Sequence, residues 1–146
     1  SLFRATSMAV LDASEGDLVS PGMLAEAVVA AFPGQYSELN QNKIARNAAS
    51  SWTQCGHLLG RSKKSRHRVQ PSPAAVTLAL FLGHAAGFHG VAVFSNPWCR
   101  LLDLDADRAR SLGQEAHRAG LLNLRSIGDV VEITFPLLEE FLSPLP

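Results

Sequence analysis

Three pairs of a capping residue followed by proline, Ser20-Pro21, Ser72-Pro73 and Asn96-Pro97, constrain the fold of this chain more than any other feature. Ser and Asn side chains accept hydrogen bonds from N–H groups in the first turn of a helix, and proline at the first helical position has no N–H to leave unpaired. Each pair therefore predicts a helix start. Glycines after apolar segments predict helix ends, at Gly34, Gly56 and Gly120.

A further helix, residues 41–55 with Asn40 as its cap, has the clearest amphipathic pattern. Its apolar side chains fall on one side of a helical wheel: Ile44, Ala45, Ala48, Trp52 and Cys55. Cys55 is therefore predicted to be a core thiol. The chain has two cysteines, Cys55 and Cys99, which do not make a disulfide framework. Reduced thiols are typical of the cytoplasm, which is the location we expect.

Two stretches read as β-hairpins. Residues 58–70 flank a polar tip, and residues 121–136 flank a Gly128-Asp129 turn with Val131, Ile133 and Phe135 alternating on one face. Residues 2–11 fit a helix or a strand equally well. The predicted fold class is mainly α with small β-hairpins, and no apolar run is long enough to cross a membrane.

The two halves repeat one order of elements: a helix, a turn or short helix, an amphipathic helix ending in glycine, and a hairpin ending in proline. The order divides the chain into an N-terminal arm (1–20), a first unit (21–71), a second unit (72–136) and a C-terminal tail (137–146). We expect the two units to pack as one compact body.

Charge is distributed unevenly along a chain whose formal net charge is zero. Residues 39–102 carry eight basic side chains and no acidic one, whereas residues 1–38 and 103–146 each have a net charge of −4. A basic middle segment suggests a polyanionic partner. The alternative is a solvated basic loop beside an acidic surface of the same protein.

The order of elements in this chain resembles that of the winged helix-turn-helix superfamily: a helix, a turn, a second helix, Gly56, Leu58-Leu59 and then a hairpin. The resemblance covers residues 21–71 well and residues 73–136 less well. It implies tandem winged-helix-like units in which the second helix of the motif, here 41–55, enters the major groove of double-stranded DNA. The hairpin, here 58–70, would be the wing that touches the backbone.

Carried onto this sequence, the resemblance gives ten candidate DNA-binding residues. Asn and Gln suit adenine, Arg suits guanine, and Lys or Ser reaches phosphate. No carboxylate interrupts the polar side of helix 41–55. The helix contributes Lys43, Arg46, Asn47, Ser50 and Gln54, and the wing contributes Arg61, Lys63, Lys64, Arg66 and Arg68.

The remaining patterns predict no metal, cofactor or catalytic site. The Cys and His spacings match no zinc pattern, and Asp103-Asp105-Asp107 is followed by neither the glycine nor the glutamate of a calcium loop. We expect a non-enzymatic DNA-binding protein, either a transcription regulator or a DNA-recognition accessory of a larger bacterial system. Residues 72–146 would be structural, or contact a second copy or a protein partner. The alternative is a protein–protein docking module, and RNA binding is a third hypothesis.

Overall fold

The computed structural model describes residues 1–141, and these form a mainly α-helical fold with two small antiparallel hairpins. The predicted fold class is therefore confirmed. The chain divides into two compact units, unit 1 (Ser1–Val69) and unit 2 (Gln70 onward). Residues 142–146, the end of the expected tail, lie outside the described residues. Within the part described, no helix is long and apolar enough to cross a membrane.

Unit 1 contains three helices and a short hairpin: α1 (Leu2–Leu11), α2 (Pro21–Ala31), α3 (Glu38–Gln54), β1 (Leu58–Leu59) and β2 (Ser65–Arg66). Ser20 caps α2, as Ser20-Pro21 predicts. The predicted start of α3 is wrong by three residues. The Ser37 hydroxyl accepts a hydrogen bond from the Asn40 N–H at 3.4 Å, so Ser37 is the cap and Asn40 lies inside the helix.

Trp52 is the centre of the unit 1 core. Its side chain is fully buried, and Phe3 of α1 stacks on it with ring centroids 4.0 Å apart. Its indole N–H donates to the hydroxyl of buried Thr6 at 3.0 Å. Pairing the N–H removes the cost of burying it. Trp52 thus holds α1 against α3.

Residues 1–20 are part of unit 1 rather than an arm extending from it. They form α1 and then an extended segment in which Leu18 bridges Ser65 of β2. The Val19 N–H donates to the Lys64 carbonyl at 2.9 Å, and the Arg66 N–H donates to the Asp17 carbonyl at 2.8 Å. Residues 17–19 therefore pair with β2 as an extended segment, through one isolated β-bridge and its flanking hydrogen bonds.

Unit 2 contains α4 (Pro73–Ala85), a 3₁₀ helix (Gly90–Ser95), α5 (Pro97–Leu101), α6 (Ala106–Arg118), β3 (Asn123–Ile127), β4 (Val130–Thr134) and a 3₁₀ turn (Glu139–Phe141). The predicted starts at Ser72-Pro73 and Asn96-Pro97 are confirmed. Leu80, Phe94, Leu112 and Leu122 are among the side chains that fill its core. Phe135 is buried, and Val131 and Ile133 pack half-buried against the same cluster, as their alternation predicts.

Asn96 is a buried polar residue with every side-chain bond made. Its amide donates to the carbonyls of Ala79 and Val93, and its oxygen accepts from the N–H groups of Trp98 and Cys99 at 2.8 and 3.0 Å. It therefore caps α5 and joins it to α4. Gly83 makes room for it, because a Cβ there would lie 2.2 Å from the Asn96 amide nitrogen.

Candidate nucleic-acid interface

The predicted polar side of α3 is a continuous exposed surface, which we call the α3 stripe. All five of its members are exposed: Lys43, Arg46, Asn47, Ser50 and Gln54. Residues three, four and seven apart lie on the same side of a helix. The opposite side is buried through Ala45, Ala48, Ala49 and Trp52. The amphipathic pattern therefore assigned the outward side of this helix correctly.

The first turn of α3 adds two exposed residues that the sequence interpretation missed. Leu39 is 64% exposed and lies one turn before Lys43, and Asn40 is exposed beside it. The turn is fixed by the Ser37 cap and by Gln41, whose amide donates to the Tyr36 carbonyl at 2.8 Å. Recognising Ser37 as the cap would have found both residues.

Asn47 marks one border of the α3 stripe. It lies at the edge of an apolar cleft of about 180 Å³ between α1 and α3, lined also by Leu2, Phe3 and Ile44. A side chain at this border has α1 on one side and solvent on the other. Asn47 is nevertheless exposed, as are Arg46 and Ser50.

The hairpin tip, residues 60–64, presents Arg61 and Lys63 to solvent. Gly60 begins the tip with φ +117°, a conformation that side chains other than glycine rarely adopt. Lys64 is half-buried, and its ammonium donates to the Thr53 hydroxyl and to the Gly60 carbonyl, each at 3.0 Å. Lys64 therefore ties the tip to the last turn of α3 and brings the two predicted surfaces together.

Arg66 lies in β2 of the hairpin. It is not part of the exposed surface formed by the α3 stripe and the hairpin, which we call the candidate surface, so its prediction as a DNA-binding residue is wrong. The side chain is 3% exposed. Its guanidinium donates to the Val10 carbonyl at 2.7 Å and to the carbonyls of His57 and His67. Val10 lies in the last turn of α1, where a positive charge is favoured by the helix dipole. Arg66 therefore stabilises unit 1 from inside.

Arg68 is exposed just after β2. The candidate surface then has five exposed positive charges: Lys43, Arg46, Arg61, Lys63 and Arg68. Lys64 is half-buried and already hydrogen-bonded to Thr53 and Gly60. Nearby, the His67 ring lies 3.8 Å from the Glu15 carboxylate.

The corresponding elements of unit 2 carry charge of both signs. On α6, Arg108 and Arg118 are exposed, as are Asp107 and Glu115. On the hairpin, Arg125 pairs in register with Glu132. A polyanion would meet carboxylates on this surface, which unit 1 lacks on its α3 stripe.

The hairpin tip of unit 2 is apolar. Ile127 is 83% exposed and Val130 is 66% exposed, on either side of the Gly128-Asp129 turn. Exposing two neighbouring apolar side chains to water at the end of a hairpin is unfavourable in free energy, whereas burying them against another surface is favourable.

A polar cleft of about 400 Å³ lies between α6 and the hairpin of unit 2. His117 Nδ1 accepts from the Leu124 N–H at 3.2 Å, so neutral His117 carries its proton on Nε2. Arg125 and Glu132 line the same cleft, so neither sign of charge dominates it. Among residues 1–141, no three His, Cys, Asp or Glu side chains are grouped so that they could hold a metal ion.

The two cysteines lie in different surroundings. Cys55 is exposed, so its prediction as a core thiol is wrong. The last buried residue of α3 is Trp52, and the helix ends at Gln54 with Cys55 as its C-cap. Cys99 is fully buried, and this burial raises the pKa of its thiol to about 11, against a smaller lowering by the hydrogen bond from Asn96. A thiol in this state is unreactive.

Comparison with known proteins adds no family. The chain matches no protein-family model, no curated protein and no solved structure.

Proposed function

We propose that unit 1 is a winged helix-turn-helix domain that binds double-stranded DNA, with α3 in the major groove and the hairpin tip on the phosphate backbone. The observation that carries the proposal is the α3 stripe: five exposed polar side chains without a carboxylate, followed by a basic tip tied to the same helix by Lys64. Exposed helix faces normally mix acidic and basic side chains. The absence of acidic side chains from the α3 stripe therefore favours an anionic partner.

The order of elements in unit 1 supports the same proposal. A helix, an extended segment at Leu18, two further helices and a hairpin follow one another, and the extended segment pairs with the hairpin through one β-bridge. The N-terminal helix and this paired segment lie outside the sequence-based resemblance, and they add support for a winged-helix arrangement in unit 1. Unit 2 has a comparable order, which supports tandem units, and DNA binding is consistent with the predicted cytoplasmic location.

The chemistry of the α3 stripe fits recognition in the major groove. Arg46 can donate two hydrogen bonds to guanine, and Asn47 can bond adenine in two places. Lys43, Arg61 and Lys63 carry charges that neutralise phosphate and release counterions. Arg46→Ala and Asn47→Ala are therefore expected to change the base preference, and loss of a tip charge is expected to weaken binding to every sequence alike.

Fluorescence anisotropy with a random-sequence duplex at two salt concentrations tests the proposal. We expect binding at low salt that weakens steeply as salt rises, because counterion release dominates nonspecific affinity. Absence of binding at low salt would overturn it.

A matched pair of variants localises the binding. Arg61→Ala/Lys63→Ala removes two exposed charges from the tip, and Arg108→Ala/Arg118→Ala removes two exposed charges from unit 2. We expect the first variant to reduce the slope of log K against log salt by about 2, and the second to leave it unchanged. Equal losses in both variants would contradict binding through unit 1.

The apolar hairpin tip of unit 2 favours a second candidate function, contact with another copy of the chain or with a protein partner. Sedimentation of the wild type and of Ile127→Thr/Val130→Thr tests contact between copies. We expect a mass that rises with concentration in the wild type and not in the variant. A wild type that stays monomeric at every concentration would contradict self-association.

A further inference from the structure

Leu39 is the most exposed large apolar side chain among the helices of unit 1, at 64%. A single exposed leucine is ordinary on a protein surface. What distinguishes Leu39 is its place, because it lies in the first turn of α3 and on the same side as Lys43, four residues later. It therefore lies at the N-terminal end of the α3 stripe, whose other members are polar.

The first turn of α3 holds Leu39 in a fixed position. The Ser37 hydroxyl caps the turn, the Gln41 N–H donates to the Ser37 carbonyl at 2.8 Å, and the Gln41 amide donates to the Tyr36 carbonyl. A capped turn fixes the Cα–Cβ direction of Leu39, so its side chain projects on the same side as the α3 stripe. The same turn is the part of a recognition helix that reaches base edges in the major groove.

Apolar groups in the major groove have a single apolar target, the C5-methyl group of thymine. We propose that Leu39 is a specificity-determining residue that recognises a thymine methyl group. The inference rests on the proposed DNA-binding function, because it assigns a ligand chemistry to one position of the same surface. It gives the α3 stripe a preference that its hydrogen-bonding residues alone would not produce.

The test compares thymine with uracil, which differ only by that methyl group. Sites are first selected from a random-sequence duplex library with the wild-type chain, and each thymine is then replaced by uracil in turn. We expect one replacement to weaken wild-type binding about fourfold, the effect of removing one methyl-sized apolar contact. Leu39→Ala should bind thymine and uracil sites equally, as a double-mutant cycle requires when the contact is lost.

Leu78→Ala is the matched control, because Leu78 is an exposed leucine, at 52%, on a helix of unit 2. It should keep the full discrimination between thymine and uracil. Wild-type binding that is unaffected by every uracil replacement would overturn the role of Leu39 and leave DNA binding intact. Failure to select or bind any duplex would overturn both proposals. A uracil effect that persists in Leu39→Ala would assign the thymine contact to another residue and would also overturn the role of Leu39.

Discussion

Arg66 shows how one residue of a basic segment can belong to the interior. Its guanidinium joins the end of α1 to the segments on either side of the hairpin, through the carbonyls of Val10, His57 and His67. Hydrogen bonds from a charged donor to buried carbonyls are stronger than neutral ones, and removing the donor leaves those carbonyls unpaired.

We therefore expect Arg66→Ala to lower the free energy of unfolding of unit 1 by about 2–4 kcal/mol. Urea unfolding followed by Trp52 fluorescence, in a Trp98→Phe background, measures this. Arg68→Ala is the control, since Arg68 is exposed, and it should change the free energy by less than about 0.5 kcal/mol. Equal stabilities for the two variants would show that Arg66 has no structural role.

Cys55 and Cys99 should differ sharply in reactivity. We expect Ellman's reagent at pH 8 to label one thiol per native chain, and Cys55→Ser to abolish this labelling, because Cys55 is exposed and Cys99 is buried. Cys99 should react only after denaturation. Two labelled thiols in the native chain would contradict the burial of Cys99.

Stability should also fall at high pH on account of Cys99. Its pKa is raised from 9.0 to about 11 in the folded chain, so the unfolded chain loses the thiol proton first as the pH rises. Between about pH 9 and pH 11 this difference favours unfolding. Cys99→Ala should lose that part of the pH dependence, which thermal melts at pH 8, 9 and 10 would reveal.

The sequence predicted the α3 stripe well and Arg66 badly, for a physical reason. Helical periodicity is fixed at 3.6 residues, so one buried residue orients the rest of α3. In a hairpin, successive side chains alternate between faces, and shifting the register by one residue exchanges them. The register Leu58↔Arg66 depends on the number of residues in the tip, which composition alone does not determine.

Among the elements, the hairpin of unit 1 depends most on a single residue. Gly60 has φ +117°, and a Cβ at this position would lie 2.0 Å from the Lys63 carbonyl oxygen. The strands on either side of it, β1 and β2, have only two residues each, so they cannot compensate for a distorted turn.

We expect Gly60→Ala to destabilise unit 1 and to weaken binding to random duplex DNA, because the tip would lose its position against α3. Gly34→Ala is the matched control, since Gly34 also has a positive φ, +70°, but nothing lies within 4 Å of a Cβ there. Both changes introduce strain of about 1–3 kcal/mol. Only Gly60→Ala should add a backbone clash and reduce DNA affinity. Equal affinity for the two variants would contradict the position of the tip.

The helices that begin with a capping residue and a proline could be predicted from the sequence, whereas α1 and the β-bridge at Leu18 could not. Residues 2–11 have no decisive period, and their helix is held by the packing of Phe3 on Trp52. The bridge at Leu18 exists because of a partner, Ser65, that lies far along the chain. Local patterns contain no information about such a pairing.

For the whole molecule, the net charge of zero conceals opposite net charges on its two units. Unit 1 contains eight basic and five acidic side chains, whereas residues 70–146 contain five basic and eight acidic ones. The isoelectric point of about 6.9 therefore describes neither unit. Lys and Arg keep their charge well above that pH.

We accordingly expect DNA affinity to persist where the whole chain is negatively charged. The dissociation constant for random duplex DNA at pH 8.5 should stay within about twofold of its value at pH 7 at constant salt, because the candidate surface is built from Lys and Arg, side-chain types that in general remain charged at both pH values. Anisotropy titrations at both pH values measure this. A loss that follows the net charge would point to binding by the chain as a whole rather than by a local surface.

The pairing of residues 17–19 with β2 also has a consequence for the order of folding. Leu18 and Ser65 are distant in sequence, and closing so long a loop is slow compared with forming a helix. The hairpin, too short to persist alone, should become ordered only after α1, α2 and α3 have brought residues 17–19 into place beside it. Amide hydrogen exchange would then be slow at Val19 and Arg66, whose N–H groups cross between strands, and fast at Arg61 and Ser62.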